Sequence, residues 1–292
     1  MDSDDQWAAW LLEDRFGPDP EIARAVRQSL VQWRDLVLRN ARLREGETLL
    51  DVGTGDGLIG FGALELLGPQ GRVIFSDVSD VLLERCREQA EQRGLADRCE
   101  FIRASVEALD TVGSASVDAV TSRSVLMHVS DKAGALRECH RVLRNGGRLS
   151  AFEAVQSRRM PSSQTAYWGY DLTSLAAELP GLRQAVALTQ PAPGDPMSGF
   201  DEQDLIAWAE AAGFAEIRVQ LLLQVNRPSR LRDWNFFYRT SRHPGYPTLE
   251  AAAREALSAA DAERLAAELR PLVEAGAGVQ REALVYLVGV KA

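Results

Sequence analysis

Residues 49–57 read Leu-Leu-Asp-Val-Gly-Thr-Gly-Asp-Gly, and no other stretch of the 292-residue chain is as informative. A short apolar run leads directly into a turn with three glycines, and a helical pattern begins at Leu58. Glycine permits a tight turn and lets a ligand lie against bare backbone. The first turn of the following helix offers unpaired N–H groups to an anion. The stretch therefore predicts a strand, a ligand-binding turn and a helix.

Strands and helices alternate in the sequence around this turn. Short apolar runs bounded by Gly and Asp alternate with stretches of helical periodicity, which is typical of βαβ units with a parallel sheet and helices on both faces. The predicted strands are Thr48–Val52, Arg72–Ser76, Cys99–Arg103, Val117–Ser122 and Arg148–Glu153. The predicted helices between them are Leu58–Leu67, Val81–Arg93 and Lys132–Leu143.

Helical additions and two late strands are predicted outside this region. Residues 5–45 have helical periodicity, while residues 155–200 are rich in proline around one helical piece, Leu172–Leu179. A helix over Asp201–Ala212 precedes a predicted strand, Phe214–Val225. Residues 227–280 form a second insertion, mostly helical from Leu249 to Glu274, before a final strand, Ala283–Val290.

Composition and charge exclude several classes of protein. The formal net charge is −9 and basic residues form no long run, which argues against nucleic acid as a partner. The cysteines Cys86, Cys99 and Cys139 form no CxxC pair, so no metal site is expected. No apolar run approaches about 18 residues, which argues against a membrane span. Because the acidic N-terminus is unlike a secretory leader, we expect a cytoplasmic protein with reduced thiols.

Two cofactors could use the glycine turn. Gly55 to Gly60 fits the GxGxxG dinucleotide pattern, but that pattern places its first glycine at the strand end, where Gly53 already stands. The carboxylates of Asp51 and Asp56 would also lie near a pyrophosphate and repel it. S-adenosylmethionine has no phosphate, its ammonium suits carboxylates, and its carboxylate suits N–H groups. The sequence therefore favours S-adenosylmethionine, with an ordinary turn that binds no ligand as the alternative.

An acidic residue follows the second predicted strand. Asp77 comes directly after Val73-Ile74-Phe75-Ser76 and lies 20 residues after Gly57. A carboxylate at this position can accept hydrogen bonds from both hydroxyls of a ribose, although an aspartate at a strand end can also simply cap a helix. Nicotinamide enzymes use the same arrangement. Asp77 therefore indicates a nucleoside without choosing between the two cofactors.

Four motifs, in order, resemble class I, Rossmann-like S-adenosylmethionine-dependent methyltransferases. The sequence is similar to the ubiquinone-biosynthesis type, a branch that acts largely on small molecules. The motifs are Leu49–Gly57, Phe101–Leu109, Val117–Val129 and Arg141–Leu149. Two positions depart from the family pattern, since Ser105 stands where aspartate is usual and Asn145 where proline is common.

The resemblance implies an α/β fold with a seven-stranded, mostly parallel sheet in the order 3-2-1-4-5-7-6, the last strand being antiparallel. Residues 1–45 would form an N-terminal helical lid and residues 46–292 the methyltransferase domain, with insertions 155–200 and 227–280 as a substrate cap. The residues placed at the cofactor by the resemblance and the turn chemistry are Asp51, Gly53, Thr54, Gly55, Gly57, Asp77, Val78, Ser105, Val106, Ser122 and Arg123.

Two side chains are candidates for catalysis, because the active site should lie beyond the carboxyl ends of the parallel strands. His128 follows the fourth strand and is a candidate general base, with a histidine that only packs or caps as the alternative. Glu153 ends the fifth strand and could contact the acceptor, or be an ordinary loop acid. His140 lies within a predicted helix beside Cys139, so we expect a structural role there.

Aromatic side chains concentrate in the insertions and in the N-terminal helices. Such groups suit an apolar or planar substrate, although core packing is the alternative for each of them. The candidate substrate contacts are Met160, Tyr167, Trp168, Tyr170, Trp234 and Phe237.

The sequence thus predicts a methyltransferase that moves a methyl group from S-adenosylmethionine to an O, N or C atom of a small molecule. The abundance of Ala and Arg indicates a bacterial source, and a secondary metabolite as acceptor is a hypothesis on that basis. A nicotinamide-dependent oxidoreductase and a non-catalytic S-adenosylmethionine-binding protein are the alternatives. A homodimer is compatible with the sequence.

Overall fold

Nine strands form two sheets in the computed structural model, which describes residues 3–17, 19–158, 164–192, 194–227 and 233–292. The small sheet is a hairpin of β6 (Ala166–Tyr167) and β7 (Tyr170–Asp171). The strands of the large sheet are β1 (Thr48–Val52), β2 (Arg72–Asp77), β3 (Cys99–Arg103), β4 (Val117–Arg123), β5 (Leu143–Ala154), β8 (Phe214–Asn226) and β9 (Gln280–Lys291).

The large sheet has the order β3-β2-β1-β4-β5-β9-β8. Strands β1 to β5 pair in parallel, whereas β9 lies antiparallel between β5 and β8. Counted along this sheet alone, the order is 3-2-1-4-5-7-6, and the predicted topology is confirmed. The first strand is buried on both faces, as expected for a parallel strand covered by helices, and Leu49 and Leu50 are fully buried.

Helices surround the sheet close to the predicted positions. They are α1 (Ser3–Ala9), α2 (Pro20–Ala41), α3 (Leu58–Leu66), α4 (Asp80–Gln92), α5 (Lys132–Val142), α6 (Thr173–Ala176), α7 (Leu182–Leu188), α8 (Glu202–Ala212), α9 (Trp234–Arg239), α10 (Leu249–Ala256) and α11 (Ala259–Glu274). A single π-helical turn, Trp10–Asp14, continues α1. No helix among the described residues is long and apolar enough to cross a membrane.

Local chemistry accounts for several helix boundaries. Asp19 accepts hydrogen bonds from the backbone N–H groups of Glu21 and Ile22 at the start of α2, where proline is the first helical residue. Helix α6 ends at Ala176, short of the predicted Leu179, and a separate helix, α7, was not predicted. Pro180 and then Gly181, with φ +93°, separate the two, because neither residue favours a continuing helix.

The two insertions pack against each other and share a core. Buried side chains from the first insertion, such as Tyr167 and Leu179, lie in one cluster with Phe237, Leu249 and Leu265 of the second. These segments are far apart in sequence, yet they cover each other's apolar faces. They therefore form one cap beside the sheet rather than two separate loops.

A buried ion pair between Arg148 and Glu47 connects the end of α2 to the sheet. Arg148 on β5 is 8% exposed, and its guanidinium donates to the carbonyl oxygens of Ala41 (3.0 Å) and Arg42 (3.1 Å) and to the carboxylate of Glu47 (2.9 Å). These bonds satisfy carbonyl groups that the helix end leaves unpaired. The N-terminal helices are thereby joined to β5 close to the start of β1.

Replacing Arg148 with methionine should lower the free energy of unfolding by about 3–5 kcal/mol, because it leaves a buried carboxylate without its counter-charge. Urea unfolding measures this. Arg270→Met is the control, since Arg270 pairs with Glu274 at 2.7 Å on an exposed face, and it should cost less than about 1 kcal/mol. Equal losses in the two variants would contradict the assignment.

Candidate functional site

The turn between β1 and α3 adopts a backbone that only glycine takes easily. Gly53, Gly55 and Gly57 have φ angles of +61°, +57° and +82°. A Cβ atom on Gly53 would lie 2.2 Å from Cγ2 of Val125, and one on Gly57 would lie 2.5 Å from the ring of Phe61. The glycines thus serve both conformation and close packing, as the sequence predicts for a tight turn.

The buried side chain of Asp51 stabilises this turn by hydrogen bonds. Its carboxylate, 1% exposed, accepts hydrogen bonds from the hydroxyls of Thr54 (2.7 Å) and Thr121 (2.8 Å) and from the N–H of Gly60 (3.1 Å). Burial raises the pKa of Asp51 to about 6, although these hydrogen bonds oppose the shift. The side chain connects β1, the turn, the first helical turn of α3 and β4.

Asp77 lies at the end of β2 and faces the same turn. Its carboxylate accepts hydrogen bonds from the N–H groups of Gly55 (2.9 Å) and Ser79 (3.0 Å). The side chain is 6% exposed and borders the cavity described next. A carboxylate has about four lone-pair sites, so it can accept hydrogen bonds from ligand hydroxyls as well as from backbone donors.

A cavity of about 1110 Å³ opens above the carboxyl ends of β1, β2 and β4. Ligand pockets commonly measure about 300–1,000 Å³, so this one has room for a cofactor and a second small molecule. Nine of the eleven predicted cofactor residues line it: Asp51, Gly53, Thr54, Gly55, Asp77, Val78, Ser105, Val106 and Arg123. Gly57 and Ser122 do not, since Gly57 faces Phe61 and the Ser122 side chain is buried.

Arg123 ends β4 at the floor of the cavity. Within the described part of the chain its guanidinium makes no hydrogen bond or salt bridge, although the charges of Asp56, Asp51 and Glu153 act on it. Burial lowers its pKa, which those three carboxylates oppose. A guanidinium stays charged in a protein, so Arg123 offers N–H donors to an anionic group inside the cavity.

His128 borders the cavity between aromatic rings. Its imidazole lies 4.8 Å from the ring of Trp7 and 5.0 Å from that of His243, measured between centroids. Burial lowers the pKa of His128 to about 3, and the neighbouring His243 adds to the shift. The ring is therefore neutral at pH 7 and has a nitrogen free to accept a proton, although burial makes it a weaker base than an ordinary histidine.

Glu153 has a different role from the predicted acceptor contact. It is 1% exposed and does not border the cavity. Its carboxylate accepts hydrogen bonds from the N–H groups of Val125 (3.1 Å), Leu126 (3.0 Å) and Met127 (3.1 Å). Both oxygens hold the turn after β4, so the prediction of a catalytic contact needs correction. Glu153 is a positioning residue for the segment that ends in His128.

The predicted substrate contacts divide into two groups. Trp168 and Tyr170 border the cavity, whereas Tyr167, Trp234 and Phe237 belong to the core of the cap. Tyr167 and Phe237 are almost completely buried there, with ring centroids 5.4 Å apart, and Trp234 is half-buried against them, so none of the three borders the cavity. Met160 lies outside the described residues.

Several cavity residues are not among the candidate substrate contacts. His243 and Tyr246 come from the segment after α9, with ring centroids 4.8 Å apart, and Tyr246 donates to a carboxylate oxygen of Asp195 at 3.0 Å. Arg15 and Leu11 reach the cavity from the N-terminal segment. His243 and Tyr246 lie in an irregular segment, where no periodic pattern indicates which way a side chain points.

The other predicted structural residues lie away from the cavity. His140 packs against Phe214, with ring centroids 5.1 Å apart, which agrees with a structural role. The three cysteines are free, and no group of three potential metal ligands occurs among the described residues. Burial raises the pKa of the Cys86 thiol, whose Sγ donates to the carbonyl of Gly55.

Charged side chains of both signs border the cavity. The carboxylates of Asp51, Asp56, Asp77 and Glu107 lie at or after the strand ends, where the guanidinium of Arg123 also lies. The charged groups that come from other segments are Arg15, Asp171, Arg242 and Arg281. Carboxylates outnumber guanidinium groups at the strand ends and favour a cationic group there, whereas three of the four charged groups from the other segments are cationic and favour oxygen-rich or anionic groups.

The chain matches the model of a family described as a methyltransferase domain over residues 43–190. It belongs to that family. The match spans the glycine turn, Asp77 and His128, which agrees with the resemblance to class I S-adenosylmethionine-dependent methyltransferases.

Curated relatives support the same branch of this methyltransferase family. The chain is 34% identical over 155 residues to the ubiquinone/menaquinone biosynthesis C-methyltransferase UbiE of Hahella chejuensis, covering 53% of this chain and 60% of that protein. It is 34% identical over 138 residues to the protein of the same name from Klebsiella pneumoniae, covering 47% and 54%. The chain thus spans little more than half the length of these relatives.

Solved structures share the fold at low sequence identity. The crystal structure of the [4+2]-cyclase SpnF has 22% identity and a TM-score of 0.52, with 90% of this chain and 81% of that chain covered. A putative sarcosine dimethylglycine methyltransferase from Galdieria sulphuraria has 16% identity and a TM-score of 0.54, covering 92% and 88%. These similarities show the fold alone.

Gly53→Ala should lower the free energy of unfolding by about 2–5 kcal/mol, because it combines a positive φ with overpacking against Val125. Gly55→Ala is the matched control. It has a similar φ, but its Cβ would meet only Leu11 at 3.5 Å, so about 1–2 kcal/mol is expected. Urea unfolding of both variants measures the difference, and a smaller loss in Gly53→Ala would refute the packing argument.

Proposed function

We propose that this protein transfers a methyl group from S-adenosylmethionine to a small molecule. The observation that carries the proposal is the position of Asp77, which faces the left-handed glycine turn in a cavity with room for two ligands. Membership of the methyltransferase family supports the same reaction class.

The cofactor residues suit the parts of S-adenosylmethionine. Asp77 would accept hydrogen bonds from the ribose hydroxyls, and Val78 and Val106 offer apolar contacts to an adenine. The Oγ of Ser105 accepts from the N–H of Glu107 at 3.2 Å, and its hydroxyl donates to the carboxylate of Glu107 at 3.5 Å, so one lone pair of Oγ is left for the amino group of an adenine. Arg123 offers donors to a carboxylate at the methionine end. When bound, the cofactor supplies an electrophilic methyl group.

Methyl transfer requires that nucleophile, methyl group and sulfur lie in line. Holding two reactants in this way can supply roughly 7–11 kcal/mol of the barrier. The glycine turn and Glu153 fix the segments that border the cavity, and the N-terminal helices and the cap cover it as a lid. His128 would take a proton from an alcohol, phenol or acidic carbon, which typically contributes about 10²–10⁴ in rate.

The charges at the strand ends count against a nicotinamide dinucleotide. Asp51, Asp56 and Asp77 all border the cavity near the turn where a pyrophosphate would lie. Like charges repel, and the repulsion grows in a partly buried site. The same carboxylates favour the ammonium and sulfonium of S-adenosylmethionine.

The curated relatives favour an aromatic acceptor. They are named as C-methyltransferases of ubiquinone and menaquinone biosynthesis, and Trp7, Trp168 and Tyr170 border this cavity. Flat rings suit an aromatic molecule. We propose methylation of an aromatic small molecule at carbon or oxygen, with a secondary metabolite as one class to test.

One structural neighbour is named as a cyclase, so binding of the cofactor alone does not establish methyl transfer. The test is incubation of the protein with S-adenosylmethionine and a panel of quinols, phenols and amines. Mass spectrometry should detect the gain of one methyl group in an aromatic acceptor. S-adenosylmethionine binding without a methylated product across the panel would favour a non-catalytic or cyclase-type role.

Asp77→Ala should weaken binding of S-adenosylhomocysteine by about 1–3 kcal/mol, the scale of hydrogen bonds lost to a charged group. Isothermal calorimetry measures this, and Asp77→Asn, which keeps one acceptor oxygen, should lose less. Asp80→Ala is the control, because Asp80 pairs with Arg103 on the surface at 3.1 Å and does not border the cavity. Unchanged affinity in Asp77→Ala would refute the ribose assignment.

His128→Gln should lower kcat by about 10²–10⁴ with an acidic acceptor, while the affinity for S-adenosylhomocysteine stays the same. Steady-state kinetics and calorimetry separate the two effects. His140→Gln, at a half-buried histidine outside the cavity, should change neither. A fall in cofactor affinity equal to the fall in kcat would point to a structural role for His128.

A further inference from the structure

Three polar groups of the cap are buried without a hydrogen-bond partner among the described residues, and two of them belong to residues that border the cavity. These two are Nε2 of His243 and Nε1 of Trp168. Both residues border the cavity, and they come from different insertions. Buried polar groups nearly always have a hydrogen-bond partner. A molecule that enters the cavity is therefore the natural candidate for the partner of these two N–H groups.

The hydrogen bond at the other ring nitrogen determines what His243 offers. The N–H of Gly245 donates to Nδ1 of His243 at 3.0 Å, so Nδ1 carries no proton. In a neutral imidazole the proton then lies on Nε2. Burial lowers the pKa of His243, which agrees with a neutral ring. The group that lacks a partner is therefore an N–H donor, as is the indole N–H of Trp168.

The surrounding rings hold the imidazole in place. The centroid of His243 lies 5.0 Å from Trp7, 5.0 Å from His128 and 4.8 Å from Tyr246. Tyr246 is fixed in turn by its hydrogen bond to Asp195. The donor is thus rigid, and it lies beside the ring that we propose as general base.

The nearby carboxylate of Asp195 already has partners. One oxygen accepts from the hydroxyl of Tyr246 at 3.0 Å and the other from the N–H of Met197 at 2.8 Å. The guanidinium of Arg242 lies over the ring of Trp168, 5.3 Å from its centroid. The carboxylate of Asp171 also borders the cavity, and it accepts from the backbone N–H of Thr173 at 3.0 Å. The two N–H donors and the charge of Arg242 beside them therefore suit an oxygen acceptor rather than an amine.

We propose that His243 and Trp168 form an acceptor-binding site that donates hydrogen bonds to a phenolic, enolic or carbonyl oxygen of the methylated molecule. This inference rests on the proposed methyl transfer and names its substrate class. His243 lies outside residues 43–190, which the family model matches, whereas Trp168 lies within them. The site places the acceptor oxygen next to His128.

The test compares three probes of similar shape: 2-naphthol, 2-methylnaphthalene and 2-naphthylamine. Calorimetry in saturating S-adenosylhomocysteine gives their affinities for the full chain. We expect 2-naphthol to bind about tenfold tighter than the other two, the scale of one or two hydrogen bonds. His243→Phe should reduce this preference to about twofold or less, and Trp168→Phe should reduce it in part.

Two further variants serve as controls. His243→Gln, which keeps an N–H donor near the position of Nε2, should retain part of the preference, and His140→Gln should retain all of it. Should His243→Phe fail to fold, Trp168→Phe together with His243→Gln carries the comparison. A naphthol preference that is absent in the wild type, or unchanged in the folded His243 and Trp168 variants, overturns the proposal.

The same titrations distinguish this inference from the proposed function. If S-adenosylhomocysteine fails to bind the wild type, the proposed methyl transfer is refuted, and the proposed acceptor site is refuted with it. If it binds and the naphthol preference does not depend on His243 or Trp168, only the acceptor site is overturned.

Discussion

The buried carboxylate of Asp51 is the interaction on which the geometry of the site is built. It accepts hydrogen bonds from Thr54 in the turn, Gly60 in α3 and Thr121 in β4. A buried acid is unfavourable in its charged form unless it has such partners. Because three segments meet at one side chain, the turn keeps its left-handed backbone whether or not a ligand is present. Binding then costs little conformational entropy.

The neighbouring strands repeat this arrangement. Asp77 at the end of β2 accepts from the N–H of Gly55, and Glu153 near the end of β5 accepts from three successive N–H groups after β4. Each carboxylate is carried by a rigid strand and holds a loop that would otherwise leave its backbone unpaired. The loops of the site thus take their positions from the register of the sheet. Glu153 positions His128 in this way, because it accepts hydrogen bonds from the three residues that directly precede His128.

The sheet could be predicted from the sequence because its signals are local. β1 and β3 have the predicted bounds, since apolar runs end at glycine and polar residues. The contacts of the cap could not be predicted in this way. Tyr167 and Trp168 are adjacent aromatic residues, yet one lies in the core and the other borders the cavity. Their different environments result from the packing between two insertions that are distant in sequence.

The role of Glu153 was mistaken for a related reason. Its position at a strand end is typical of an active-site acid, and the same position also suits a residue that caps a neighbouring turn. The sequence does not show that three unpaired N–H groups follow β4. Likewise, nothing near His243 in sequence indicates Trp7 or His128 as neighbours, because the three residues come from separate segments.

The site therefore has two parts with different origins. The ends of the parallel strands supply carboxylates and glycines that lie within residues 43–190, which the family model matches, and we propose that these bind the cofactor. The insertions supply N–H donors and aromatic rings, which suit the acceptor. Inserted segments can vary without disturbing the hydrogen bonds of Asp51, because its partners in the described part of the chain, Thr54, Gly60 and Thr121, all lie outside the cap. Acceptor specificity can thus change while the methyl donor stays the same.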